Sequence, residues 1–262
     1  MTTRRPEMAR RAIDRFAAQD YAPRELVIVS DGREGHDELH AYASAACGAG
    51  LVAACVDRGA HPLGWLRNRA VDLARGEVVC QWDDDDLSHS RRLSMQFARM
   101  REEHAIACFM TDQLLLVAKT RSLYWCDWTR TRGFPLRAPT IPPTLMCDRQ
   151  ALPRYPETGP VSRRSEDAFV MRALLKAGAV ARLSGCGWLY VYVSHGDNTW
   201  SESHHLDIVR VTGIDAADLQ QRRGGLAEAI TDYALDDDIV LRDYLGMPLF
   251  TIGELQAQHA LD

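Results

Sequence analysis

The 262-residue sequence has no run approaching the roughly 18 to 20 apolar residues that a membrane-crossing helix needs. Its first residues, MTTRRPEMARR, lack the apolar stretch of a secretory signal. A cytoplasmic protein is therefore expected, with room for peripheral association at a membrane surface. The seven cysteines are odd in number, widely spaced and without a C-x-x-C pair, which excludes a disulfide framework and leaves them as reduced, mostly buried small side chains. Clustered zinc ligands are missing too. His204 and His205 are the only close neighbours of that kind, and adjacent positions do not easily face one ion. There is no clear Gly-rich phosphate loop. Nor is there a basic surplus: the formal charge is −5, so nothing argues for nucleic acid, and the local arginines Arg4, Arg5, Arg10 and Arg11 read as solvated helix faces.

What is present is enough apolar sequence for a large core, 46% of residues, arranged in an alternating pattern. Met8, Ala9, Ala12, Ile13, Phe16 and Ala17 make a helical stripe within Pro6 to Ala18, and Pro6 suits a first turn. ELVIVS, Glu25 to Ser30, is a short β-branched run closed by Asp31-Gly32, as in a buried strand that ends in a turn. The alternation continues with a helix over 36–46, a strand over 51–56, a helix over 64–74 stopped by Gly76, and a strand over 77–82. Strands and helices at this spacing predict βαβ units, an α/β fold with a mostly parallel sheet flanked by helices. Ligands in such sheets bind outside the carboxyl ends of the strands. Asp31 and the run Asp83 to Asp86 should therefore open on one edge.

Further along, the pattern predicts a helix from Ser88 to about Glu103 and strands over 107–117 and 123–128. Pro135, Pro139, Pro142 and Pro143 break regular structure before a strand over 144–148. A helix over 165–178 has Ser165 as N-cap and Gly178 as stop. The apolar run 188–193 leads into SHGDNTW. From Ser201 onward a C-terminal helical extension is expected, with Leu235 to Ile239, LDDDI, as a solvated acidic turn. This divides the chain into 1–200, with halves 1–104 and 105–200, and 201–262.

CQWDDDDL poses the sharpest chemical question. Crowded carboxylates repel one another unless a cation or positive partner compensates them, or water at a surface turn screens them. One reading is an exposed turn in which an aspartate caps the next helix. The other is a site for a hard cation such as Mg²⁺ or Mn²⁺, which takes one or two carboxylates plus phosphate oxygens. Other residues carry plain alternatives as well: Asp31 as a turn residue, Asp167 as a helix-dipole partner, His195 as a loop histidine, and Trp82, Trp188 and Trp200 as packing residues.

The order RRPEMARRAIDRFAAQDYAPRELVIVSDG, GWLRNRAVDLARGEVVCQWDDDDL, SEDAFVMRALLKAG and YVYVSHGDNTW resembles the family 2 inverting glycosyltransferases of the Rossmann-like GT-A fold, across about Thr2 to Trp200. The resemblance implies a hexosyltransferase-like enzyme. Its donor would be a UDP-, GDP- or dTDP-sugar, its acceptor a glycan, lipid-linked or other hydroxyl, and its metal Mn²⁺ or Mg²⁺. It also implies roles. Asp31, with Ser30 where relatives carry another acid, would hold the nucleotide base, and Arg67 and Asn68 would approach the nucleotide. Asp83 and Asp85 fill the two acidic positions of D-x-D, on the ribose side and at the metal. Asp84 and Asp86 are the rival pair should the register slip by one. Asp167 matches the catalytic base with Glu166 as rival, and His195 falls near the metal or diphosphate. Two other functions stay open, a non-catalytic nucleotide-sugar-binding module and a metal-dependent nucleotidyltransferase. Relatives begin with a buried strand ahead of the first helix. That strand is expected to be missing here, and the natural reading frame to extend upstream.

Overall fold

Apolar positions three and four apart place Ala9, Ala12, Ile13 and Phe16 on one face of the first helix, where all four are buried. Removing Ile13 or Phe16 from water contributes roughly 1.5–3 kcal/mol each. A charged side chain at Ile13 would break this seam. The computed structural model behind these observations describes residues 1–133 and 139–259. The break expected at Pro135, and the centre of the proline-rich segment, lie outside the described residues.

In chain order the elements are β1 (Thr2–Thr3), α1 (Pro6–Ala17), β2 (Leu26–Asp31), α2 (His36–Cys47), β3 (Leu51–Val56), α3 (Leu63–Leu73), β4 (Val78–Cys80), β5 (Leu87–Ser88) and α4 (Arg92–Glu102). There follow β6 (Ala107–Met110), β7 (Asp112–Val117), β8 (Ser122–Asp127), β9 (Met146–Asp148), α5 (Glu166–Ala177), β10 (Val180–Leu183) and β11 (Tyr190–Ser194). The chain finishes with α6 (Glu202–Thr212), α7 (Ala216–Ile230), β12 (Val240–Arg242), β13 (Pro248–Thr251) and α8 (Ile252–His259). Among the described residues no helix is long and apolar enough to cross a membrane.

Two units form. The first contains Met1–Asp86, Ser90–Phe109 and Pro142–Leu183. Its β1, β2 and β3 make a parallel sheet in that order, with α2 as the crossover between β2 and β3, and a second sheet runs β10-β6-β9-β4. Val27, Ile28 and Val29 are buried along β2, as the apolar run predicts for a strand covered on both faces. A strand expected to be missing ahead of α1 is present, as the two-residue β1. Thr2 and Thr3 pair with Val29 and Ser30, and the Met1 ammonium donates to the Val27 carbonyl at 2.8 Å. Beside the start of β2 runs a cavity of about 600 Å³ lined by Met1, Leu26, Val27, Val79, Cys80 and Trp82 among others. Burial, reinforced by the charge of Arg67, lowers the Met1 ammonium to about 6.

Two backbone features mark the starts of α3 and α5 in this unit. A Cβ on Gly64 would stand 1.9 Å from the Pro156 carbonyl oxygen, so only glycine lets α3 pass this close to the 155–157 segment. Ser165, expected as a side-chain N-cap, sits instead in the left-handed region at φ 66° and makes no capping bond.

The second unit contains Leu87–His89, Met110–Ile141 and Ser184–Asp262. The strand expected over 107–117 is therefore two strands, interrupted at Thr111. A six-stranded sheet runs β13-β12-β8-β7-β11-β5, with β7 and β8 antiparallel and β11 parallel to β7. Leu114, Leu116, Leu123 and Trp125 pack with Leu219, Leu226, Ile230 and Leu255 in one core. The expected C-terminal helices are present, and between them stand two strands, β12 and β13, that the pattern does not predict. The LDDDI turn is solvated, with Asp236 and Asp238 paired to Arg121. In the β7–β8 ladder two acids are directly opposite, Asp112 and Asp127. Asp112 is buried and accepts from the Trp125 indole and the Gly187 amide, both at 3.0 Å. Burial, then the Asp127 charge, pushes its carboxyl up to about 6.

Candidate active site

The acidic run begins where β4 stops. β4 ends at Cys80, although the Gln81 amide still donates to Leu145 O at 2.8 Å, and Trp82 is anchored through its indole N–H to Ala12 O at 2.9 Å. Trp82 also packs edge-on against Phe16, so its packing role holds. The chain bends at Asp84–Asp86, so a strand's strict alternation does not carry through the four aspartates. Burial still differs along the run. Asp84 and Asp86 are buried, whereas the side chains of Asp83 and Asp85 keep 19% and 15% exposure. The accessible carboxylates are thus Asp83 and Asp85.

Two arginines compensate this charge. Arg5 Nη2 lies 2.5 Å from Asp84 Oδ1 and 2.9 Å from Asp85 Oδ2. The expectation that Arg5 belongs to a solvated helix face is therefore corrected: it precedes α1 and its guanidinium is spent on the aspartates. Burial and the Asp85 charge nevertheless raise the Asp84 carboxyl above its ordinary range. Arg67, from α3, bridges Asp83 Oδ1 at 3.1 Å and Glu166 Oε1 at 2.9 Å. It also stands over the Tyr155 ring at 5.8 Å. In this way one side chain ties the end of β4 to the start of α5.

At that start Glu166 is buried and held by Arg67, while Asp167 is only partly buried and accepts the Ala168 amide at 2.6 Å. Burial and the neighbouring Glu166 charge push the Asp167 carboxyl up to about 6, with Arg67 opposing. Asp31, at the end of β2, accepts the Gly59 amide at 2.7 Å. Asn68 differs from its expected role beside a nucleotide. It is 2% exposed, donates to Tyr155 O and Glu157 Oε1, and accepts from Tyr155 N, so its amide is consumed in fixing the 155–157 turn. His195 belongs to the second unit, where its backbone N–H donates to Asn198 Oδ1 at 2.8 Å. Trp200, exposed, stacks on His204 at 4.5 Å. All seven cysteines are free.

Arg5 and Tyr155 were not singled out as site residues from the sequence. Arg5 lies 79 positions from Asp84, and the only signal was the need of four carboxylates for a cation. A metal fits this donor set in one way. No group of three or more His, Cys, Asp and Glu side chains that could hold an ion occurs among the described residues. Hard carboxylate oxygens at Asp85 and Asp83 suit Mg²⁺ or Mn²⁺ bound through one or two acids, with phosphate and water completing the shell.

The sequence model of Glycosyl transferase family 2 matches residues 1–146, more than half of the chain. The chain belongs to glycosyl transferase family 2. It is also 32% identical over 101 residues to the "Putative colanic acid biosynthesis glycosyl transferase WcaA" of Escherichia coli K12, covering 38% of this chain and 36% of that one. The match thus spans about a third of that relative's length. Among solved structures, S. aureus TarS 1–349 in complex with UDP-GlcNAc aligns at TM-score 0.56 and 19% identity over 98% of this chain and 70% of that one. The mannosyltransferase PcManGT from Pyrobaculum calidifontis, in complex with GDP-Man and Mn²⁺, aligns at 0.55 and 14% over 99% and 68%. The family 2 glycosyltransferase fold here is GT-A, and the α/β architecture with a parallel sheet and flanking helices is as expected.

Proposed function

We propose that this family 2 enzyme transfers a sugar from a nucleotide-sugar donor to an acceptor hydroxyl, with inversion at the anomeric carbon and with help from a divalent cation. The observation that carries this reading is the Arg67 bridge, which couples Asp83 of the acidic run to Glu166 beside Asp167. Displacing a nucleoside diphosphate leaves a highly charged group on one side of the reacting carbon and needs a base on the other. One arginine ties together Asp83 and Glu166, the near neighbours in sequence of the candidates for the two tasks, Asp85 and Asp167.

Asp31, at the end of β2, would receive the nucleotide base, and Asp83 the ribose side. Asp85, the more accessible neighbour of Asp84, would hold the cation, with Asp86 as its rival. When bound, Mn²⁺ or Mg²⁺ supplies positive charge to the departing diphosphate. Asp167 is the base. Its carboxyl, pushed up to about 6, is ionised at neutral pH yet basic enough to take the acceptor proton as the hydroxyl oxygen attacks. Glu166, locked to Arg67, is a positioning residue. A single in-line displacement inverts the anomeric centre. The test is NMR of the product formed from an α-linked donor. A β-linked product that disappears in Asp167→Ala agrees with the reading; an α-linked product, or donor binding without turnover over a panel of acceptors, rejects it.

A further inference from the structure

Arg5 occupies one oxygen of the carboxylate proposed to hold the cation, with Nη2 at 2.9 Å from Asp85 Oδ2. Its backbone N–H donates to Thr3 Oγ1 at 3.0 Å and Pro6 begins α1 immediately after it, so its main chain is fixed on both sides. From there the guanidinium forms a fork on Asp84, with Nη2 at 2.5 Å from Oδ1 and Nε at 3.4 Å from Oδ2. The same Nη2 reaches Asp85 Oδ2 at 2.9 Å. These contacts are unequal in kind. Asp84 is buried and its carboxylate needs a permanent partner, whereas Asp85 is partly exposed and can exchange one. A guanidinium cannot leave by losing its proton, so it competes with any other cation at every ordinary pH.

We propose that Arg5 is the resident counter-ion of Asp85: a divalent cation must displace it from that carboxylate, and Arg5 thereby sets the cation affinity of the site while remaining anchored on Asp84. The proposal rests on the reading of Asp85 as a cation ligand. It assigns Arg5 a positioning role that neither the acidic run nor its spacing indicates.

The test measures binding of Mn²⁺ alone by electron paramagnetic resonance, without donor or acceptor, in the full chain. Arg5→Gln removes the competing charge and should lower the Kd by on the order of tenfold, whereas Arg5→Lys, which keeps the charge, should stay within about threefold of the parent. Equal or weaker binding in Arg5→Gln overturns the proposal. Asp85→Asn separates the two ideas. If it abolishes binding in the parent while Arg5→Gln gains nothing, Asp85 is a ligand and Arg5 is not its competitor. If Arg5→Gln binds more tightly but Asp85→Asn changes nothing, the ligand is elsewhere and both readings fall; absence of binding in every variant has the same consequence. Should Arg5→Gln fail to fold, the parent itself answers. Mn²⁺ should accelerate modification of Arg5 by phenylglyoxal, read by peptide mass, and an unchanged rate overturns the proposal.

Discussion

Replacing Arg67 by methionine keeps much of the side chain's length and removes its charge. Asp83, Glu166 and Asp167 then face one another without the guanidinium that now bridges two of them at 3.1 and 2.9 Å. Glu166 is 3% exposed and Arg67 12%, so water screens the loss poorly. Removing one partner of a buried ion pair costs about 3–5 kcal/mol, and the partial exposure of Asp83 favours the lower end, about 3 kcal/mol. For a chain of this size each kcal/mol moves Tm by about 2–4 °C, giving a fall of roughly 6–12 °C at pH 8. The pH dependence follows from charge. Arg67 opposes the rise of the Asp167 carboxyl, so without it the native cluster binds protons more readily. The variant therefore recovers relative stability as pH falls, and the gap to the parent should narrow at pH 5.5. Thermal unfolding of both proteins at the two pH values is the assay. A variant within about 2 °C of the parent at pH 8, or a gap that widens on acidification, would mean that Arg67 does not hold these carboxylates together.

Other outcomes follow from single residues. Asp167→Asn should lower kcat by roughly 10²- to 10⁴-fold with little change in the donor KM, and parent activity should rise with pH through about 6, as the base must be ionised; initial rates from pH 5 to 8 check both. Gly64→Ala should cost about 1–3 kcal/mol in denaturant unfolding, because its methyl meets the Pro156 carbonyl. Asp112, raised to about 6, contributes stability that is full below its unfolded value and lost as pH rises through about 6. Asp112→Asn should accordingly gain about 1–3 kcal/mol over the parent at pH 8 and little at pH 4, read from urea midpoints.

Much of the first unit was legible because its signals are local. The run Leu51 to Val56 is a strand as written, and the stripe through Ala9, Ile13 and Phe16 is the buried face of α1. The placement of the candidate carboxylates was legible for the same reason, since Asp31, Asp83–Asp86 and Glu166–Asp167 stand at or just beyond ends of elements. What pairs with them was not. Arg5 and Arg67 meet their acids across 79 and 99 positions, and neither local periodicity nor spacing reports such contacts. The alternation that would order the aspartates lapses because β4 ends at Cys80. β12 and β13 escaped because three or four residues, one of them Pro248, give too short a pattern to distinguish from a turn. They become strands through pairing, β12 with β8 and β13 with β12, a tertiary effect.

In the proposed reaction, a cation-assisted displacement, Asp85 and Asp167 act on opposite sides of the reacting carbon. Its most direct measurement is release of nucleoside diphosphate from a panel of nucleotide sugars, with and without Mn²⁺. Donor- and Mn²⁺-dependent release that is abolished in Asp85→Ala and in Asp167→Ala is expected. Release that persists undiminished in either variant, or that ignores Mn²⁺, would contradict it.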